Sequence, residues 1–276
     1  MSSFSHAASN AGYHTEGRWN DILTLGGRDG SMTMFELLYR SVRPFDHPLY
    51  QRVFRILRDL QRSTDSGFRV LDVGGRRSNY TIGLTGQVLI TDVPRETSQQ
   101  HQLDLGATEE VRRKVLTRRS NVEDYLIDDM TSTTLPEKSF DVAVAVEVLE
   151  HVDDDETFVR NVARVLKPNG WFVMTTPNGD FLRIPYPDHR RHYQRDHLVQ
   201  LLTRYFSNVD VQYAVNAGRL IRWGVHRPTM RSPFRTLLSP TALFLCDRLE
   251  ASGLGGIGPN GKRHLVALAQ VRQNPQ

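Results

Sequence analysis

Five short runs rich in Val, Ile and Leu constrain this chain more than any other feature. They are "RVLDV" at 69–73, "QVLITDV" at 87–93, "DYLIDDM" at 124–130, "FDVAVAV" at 140–146 and "GWFVMTTP" at 170–177. Most are apolar without a strict two-residue alternation, the signature of strands covered on both faces. Helix-like segments separate several of them. The clearest is "DETFVRNVARVL", which lines up Phe158, Val159, Val162, Val165 and Leu166 along one stripe and is closed by "KPNG". Strands alternating with helices predict an α/β fold around a parallel sheet.

The flanks divide the chain further. Residues 1–20 are polar and aperiodic and predict a flexible tail. Residues 21–64 form a helical extension, in which "MTMFELLYRSV" and "PLYQRVFRILRDLQR" predict two amphipathic helices split by Pro44 and Pro48. The core runs over 65–217. Two more strands, "NVDVQYAV" and "HLVALAQV", bracket residues 218–262, a segment too long for a plain connection and predicted to be a cap or lid. Residues 263–276 supply the final strand and a tail. Among 276 residues 39% are hydrophobic, enough for one large core. The single Cys246 excludes an internal disulfide, no secretory signal or membrane-spanning run is visible, and a cytoplasmic protein is expected. A formal charge of +4 is too small to argue for nucleic acid.

Asp72 ends the first strand, and Gly74 and Gly75 follow it into an expected helix. Glycines there let a ligand approach the main chain, and a helix start offers N–H donors. The next strand ends in Asp92, where a carboxylate can accept both hydroxyls of a ribose. Together these predict a nucleoside-bearing ligand, and by themselves leave a nicotinamide dinucleotide and S-adenosylmethionine both open.

The stretches "IDDMTSTTLPEKSFDVAVAVEVLEHVDD" and "VARVLKPNGWFVMTTPN" decide between them by resemblance. In order and content they resemble the later motifs of class I S-adenosylmethionine-dependent methyltransferases, over roughly residues 65–215. The resemblance implies a Rossmann-like, seven-stranded mixed sheet with helices on both faces. It also implies that Asp72, Gly74 and Gly75 hold the methionine moiety, Asp92 the ribose, and Asp129 with Met130 the adenine. Val146 and Glu147 would flank the cofactor. This chain departs from the pattern at Arg76, which replaces the usual next glycine, and in a longer adenine loop that leaves Asp128 as a neighbouring candidate.

"EVLEH" resembles a run that binds a divalent metal such as Mg²⁺ in ubiquinone-pathway O-methyltransferases and plant small-RNA 2′-O-methyltransferases. That resemblance implies Glu147, Glu150 and His151 as ligands, with His189 from "YPDHRRHY" as a fourth. The same five letters recur in many class I methyltransferases with no metal assigned, and on that reading Glu150 and His151 only organise a helix start. Without a metal, His151 is the leading general base, followed by His189 and His192, because an imidazole suits removal of a hydroxyl proton.

Nine arginines between Pro187 and Arg235 read either as a site for a phosphorylated or acidic acceptor or as a solvated basic face. The apolar helix "PTALFLCDRLEAS" suits an acceptor pocket or a homodimer contact. The expectation is methyl transfer to a small-molecule hydroxyl: a sugar, a glycolipid or a secondary metabolite. RNA 2′-O-methylation and a non-catalytic cofactor-binding scaffold remain open as alternatives.

Overall fold

The structure is a computed structural model. It describes residues 32–64, 67–96, 106–182, 188–216 and 261–272, and positions 241, 243–245 and 247–249. The expected 1–20 tail and most of the expected 218–262 cap lie outside those residues.

Seven strands form one mixed sheet in the order β3-β2-β1-β4-β5-β7-β6. They are β1 (Arg69–Val73), β2 (Gln87–Asp92), β3 (Val122–Ile127), β4 (Phe140–Val146), β5 (Leu166–Pro177), β6 (Phe206–Asn216) and β7 (Lys262–Val271). Neighbours among the first five pair in parallel, whereas β7 runs antiparallel to both β5 and β6. The carboxyl ends of β1 to β5 therefore share one edge. β7 begins at that edge, with His264 opposite Pro177, and β6 ends there, with Asn216 opposite Lys262.

The side-chain period of two sorts the buried strands between two cores. On one face Leu71, Ala143, Ala145 and Phe172 pack with Phe158, Val162 and Leu202 from helices α4 (Asp155–Val165) and α5 (Arg195–Thr203). On the other, Val70, Val88, Val142 and Val144 pack with Val53 and Leu57 of α2 (Pro48–Arg62), with Val111 and Val115 of α3 (Glu109–Arg118) at the margin. The expected seven-stranded sheet with helices on both faces is what the chain forms.

The expected helix after the glycine loop is absent. Only two short 3₁₀ turns, Gly75–Arg77 and Asn79–Thr81, lie between β1 and β2. The reason lies in one buried carboxylate: Tyr80 and Thr81 turn inward to Asp72, Oη–Oδ1 3.0 Å and Oγ1–Oδ2 3.1 Å, which fixes the backbone against a regular helix. Helix α2 of the extension covers that face instead, and its Tyr50 ring lies 5.9 Å from that of Tyr80.

The extension is thus built into the core. Helix α1 (Met34–Val42) starts with a reciprocal cap between Thr33 and Glu36. The Glu36 carboxylate also accepts from the Ser120 N–H and hydroxyl, at 3.1 and 2.7 Å. Burial opposes its charge, but the hydrogen bonds from Ser120 and Thr33 outweigh burial and hold its pKa below the ordinary range. The positions described between 241 and 249 are helical and meet this extension too. Buried Asp247 forms a two-pronged pair with Arg55 at 2.9 and 3.0 Å, and the Phe244 ring lies 6.2 Å from Phe45.

Candidate active site

At the tip of β1, Gly74 takes φ +70, a left-handed conformation that favours glycine, and its N–H donates to the Thr91 carbonyl at 2.7 Å. A Cβ on Gly75 would stand 2.4 Å from Asp72 Cγ. The Asp72 side chain therefore lies beneath the loop, fully buried, and holds its shape from below. Burial pushes the Asp72 carboxyl up to about 6, opposed by hydrogen bonds from Ser78, Tyr80 and Thr81 and by the charge of Arg119. Gly75→Ala is expected to cost about 1–3 kcal/mol by overpacking. A urea melt that matches the wild type would show the loop to be looser than described.

Asp92 sits at the tip of β2. Its Oδ1 accepts from the Val93 N–H at 2.9 Å, and Tyr125 Oη stands 3.4 Å from Oδ2. Burial raises its pKa, and the nearby Arg76 guanidinium is the largest influence the other way. Arg76, which departs from the usual glycine, is thus directed toward the candidate ribose acid.

Past β3 the two aspartates part company. Asp129 is exposed, and its Oδ1 accepts from the Thr131 N–H and hydroxyl, both at 2.8 Å, capping the turn. Asp128 is half-buried, its N–H donates to the Asp92 carbonyl at 3.0 Å, and its Oδ2 is buried without a partner among the described residues. Burial raises its pKa as well. Met130 is buried in the core, and Asn161 donates to its carbonyl at 2.8 Å. A buried carboxylate oxygen of this kind calls for a donor that the described residues do not supply.

Past β4 the chain turns sharply. Val146 ends the strand half-buried, and Glu147 adopts φ +55, rare for a residue with a Cβ. Thr175 of β5 compensates: its carbonyl accepts the Glu147 N–H at 3.1 Å and its hydroxyl donates to Glu147 Oε1 at 2.8 Å. His264 Nδ1 lies 3.1 Å from Glu147 Oε2. Burial works against the Glu147 charge, but His264, through its charge and hydrogen bond, and then Thr175 prevail and lower its pKa.

Leu149–His151 form one 3₁₀ turn, and residues 188–190 fold across it. The Arg190 N–H donates to the Glu150 carbonyl at 2.7 Å, and His151 Nδ1 lies 2.9 Å from the Asp188 carbonyl. A carbonyl only accepts, so His151 carries its proton on Nδ1 and leaves Nε2 as the basic nitrogen. Glu150 is buried with Oε2 3.1 Å from Thr176 Oγ1; burial first, then Glu147, pushes its pKa well up. The His189 ring packs edge-on at 4.8 Å from His151, and its Nδ1 is 2.9 Å from His192 Nε2. Burial, followed by His151, lowers the His189 pKa.

Of the four expected metal ligands, Glu150, His151 and His189 converge: each offers a ligand atom, and all lie within 4.8 Å of one another. Glu147 is turned to His264 and Thr175 instead. One carboxylate and two imidazoles form a donor set that suits a borderline divalent cation. The described arginines of the basic run are engaged on the fold itself. Arg190 pairs with Asp153 at 3.0 Å, Arg204 with Glu156 at 2.9 Å, Arg191 with Asp155, and Arg195 Nε donates to the Val211 carbonyl at 2.8 Å.

His264 was not among the expected site residues. It begins the last strand, and only the antiparallel register of β7 brings it to Pro177 and Glu147. His47, at the cap of α2, meets it edge-on with ring centroids 6.1 Å apart, so the extension reaches the same edge.

Comparison with known proteins gives this edge its context. The family model of the methyltransferase domain matches residues 85–174, the span that holds the tips of β2, β3 and β4. Residues 85–174 thus carry a methyltransferase domain, in keeping with the resemblance of the sequence to class I S-adenosylmethionine-dependent enzymes. The methyltransferase domain is similar to curated proteins over part of its length. A mitochondrial ubiquinone biosynthesis O-methyltransferase from Bos taurus is 34% identical over 120 residues, 41% of this chain and 30% of that protein. A ubiquinone biosynthesis O-methyltransferase from Pseudomonas putida is 31% identical over 124 residues, 43% of this chain and 48% of that protein. The match spans less than half the length of either relative. Among solved structures, a SAM-dependent methyltransferase from Archaeoglobus fulgidus superimposes with a TM-score of 0.50 at 16% identity, over 80% of this chain and 94% of that one, which bears on the fold alone. Among the described residues no helix is long and apolar enough to cross a membrane.

Proposed function

We propose that this methyltransferase domain transfers the methyl group of S-adenosylmethionine to the oxygen of a small-molecule hydroxyl. The loop at Gly74 and Gly75, shaped by Asp72, takes the methionine end. Asp92 takes the ribose, and Asp128 takes the adenine beside Asp129 and Met130. Val146 and Glu147 border the sulfonium side. When bound, the cofactor supplies a methyl group activated for direct displacement, and the chain's own residues align the acceptor and remove its proton.

The observation that carries the choice of oxygen is the convergence of Glu150, His151 and His189 within 4.8 Å at the carboxyl ends of β4 and β5. An amine acceptor is nucleophilic once neutral, whereas a hydroxyl gains from a base or a Lewis acid. Either His151 Nε2 takes the proton or the three residues hold a divalent ion that lowers the hydroxyl pKa. Glu147 and His264 fix one another on the neighbouring side of the edge. The similarity to ubiquinone biosynthesis O-methyltransferases supports an oxygen acceptor.

The test is an acceptor screen with methyl-labelled S-adenosylmethionine across phenols, sugars and amines, with product analysis by mass. An O-methyl product is expected, and His151→Ala is expected to slow its formation by about 10²-fold or more. An exclusively N-methylated product, or a His151→Ala variant as fast as the wild type, would overturn the assignment.

A further inference from the structure

Two arginines follow the glycine loop, and cofactor binding leaves unexplained what else gathers behind that loop. A cavity of about 210 Å³ opens there, between the loop, α1 and α3. Among the described residues four cations line it, Arg76, Lys114, Arg118 and Arg119, and no carboxylate does. Phe35 and Val115 supply an apolar wall, and Ser78 and Asn79 add polar groups. The cavity depends on the extension, because α1 brings Phe35 and is fastened to the end of α3 through Glu36 and Ser120.

The charges in this cavity are unequally compensated. Arg119 is 5% exposed and donates to Ser78 Oγ at 3.0 Å and Thr81 Oγ1 at 2.7 Å, with Asp72 and Glu36 as the opposing charges nearby. Its Nε is buried without a hydrogen-bond partner among the described residues. Arg76 is answered by Asp92. Lys114 and Arg118 are different: among the described residues neither has an ion-pair partner, and the Arg118 guanidinium lies 5.5 Å above the Phe35 ring. That leaves two uncompensated positive charges on one concave wall, with an orphaned Nε behind them.

We propose that this cavity is a second binding site, separate from the cofactor's, for an organic phosphate: a phosphate monoester on a small apolar or aromatic body. Two open charges match a phosphate monoester, which carries about −1.5 to −2 at neutral pH, better than a carboxylate. Arginine forks and a lysine ammonium are the donors phosphate oxygens take. Phe35 and Val115 accommodate the body of the molecule. The volume exceeds that of a bare phosphate group and excludes a long polymer.

Calorimetry at constant ionic strength with phenyl phosphate as the probe, and phenyl sulfate as the singly charged control, tests this. One saturable site per chain is expected, with phenyl phosphate binding about tenfold or more tighter than phenyl sulfate. The Lys114→Gln, Arg118→Gln double variant changes two exposed side chains and keeps the fold, which its melting temperature checks. It is expected to weaken phenyl phosphate about tenfold or more while S-adenosylhomocysteine affinity stays within about twofold. Absence of a saturable site, equal affinity for the two probes, or unchanged affinity in the double variant overturns the proposal. Failure of the methyl-transfer reading would appear instead in the homocysteine titration, so the two are distinguishable.

Discussion

Arg119→Met is expected to destabilise the protein by about 3–5 kcal/mol at pH 8, and by clearly less at pH 5. Arg119 is nearly fully buried and reaches Asp72 through Thr81: Arg119 Nη2 donates to Thr81 Oγ1 at 2.7 Å, and Thr81 Oγ1 is 3.1 Å from Asp72 Oδ2. Removing the guanidinium leaves a buried carboxylate with no cation beside it. The pH dependence follows from the proton on Asp72. Burial has already raised its pKa from 3.8 to about 6, so the folded state holds that proton more tightly than the unfolded chain. Stability from this group is greatest below its unfolded pKa and is lost as pH rises through the folded one. Without Arg119 the folded pKa rises further, so the variant loses more over the same interval. Urea melts of both proteins at the two pH values measure the difference. An equal loss at pH 5 and pH 8 would mean that Arg119 stabilises by packing and not by charge.

The same pair marks where reading the sequence stops. The strands were legible because runs such as "FDVAVAV" are buried on both faces, and burial on both faces leaves a continuous apolar signature. Asp72 and Asp92 could be placed because each lies at the end of such a run, and Glu150 because it follows one closely. The missing helix after Gly75 was not legible. Its loss depends on Tyr80 and Thr81 turning toward Asp72 and on α2 covering the exposed face, contacts made across sequence separations that no local pattern encodes. His264 was hidden for a related reason: a histidine opening a strand is unremarkable until antiparallel pairing sets it opposite Pro177 and against Glu147. Asp128 and Asp129 are adjacent and chemically alike, and only the structure separates them, by the cap that Asp129 forms on Thr131 and by the burial of Asp128.

The extension shows the same limit. Its two amphipathic helices were readable from spacing, but their purpose was not. In the structure they substitute for the absent helix, carry His47 to the edge where His264 meets Glu147, pair Arg55 with Asp247 and wall the basic cavity with Phe35. Deleting them would therefore remove one face of the core as well as an appendage.

Asp92→Ala is expected to weaken S-adenosylhomocysteine binding by about 3 kcal/mol, roughly 10²-fold, in calorimetry. The strand tip holds this carboxylate half-buried, and a pair of vicinal ribose hydroxyls donating to it would replace water that burial has already stripped away. Alanine leaves both hydroxyls to find other acceptors in a confined space. Asp92→Asn keeps one acceptor oxygen and is expected to fall between the two. The fold should hardly notice, because Asp92 bonds locally to Val93 and at 3.4 Å to Tyr125. Unliganded melting temperatures that stay close together, with affinities that separate in the order Asp, Asn, Ala, are therefore the expected pattern. Equal affinities in all three would place the sugar elsewhere. The assignment of Asp128 to the adenine would fall with it, since the two tips are joined by the Asp128 N–H bond to the Asp92 carbonyl and can serve only one ligand together.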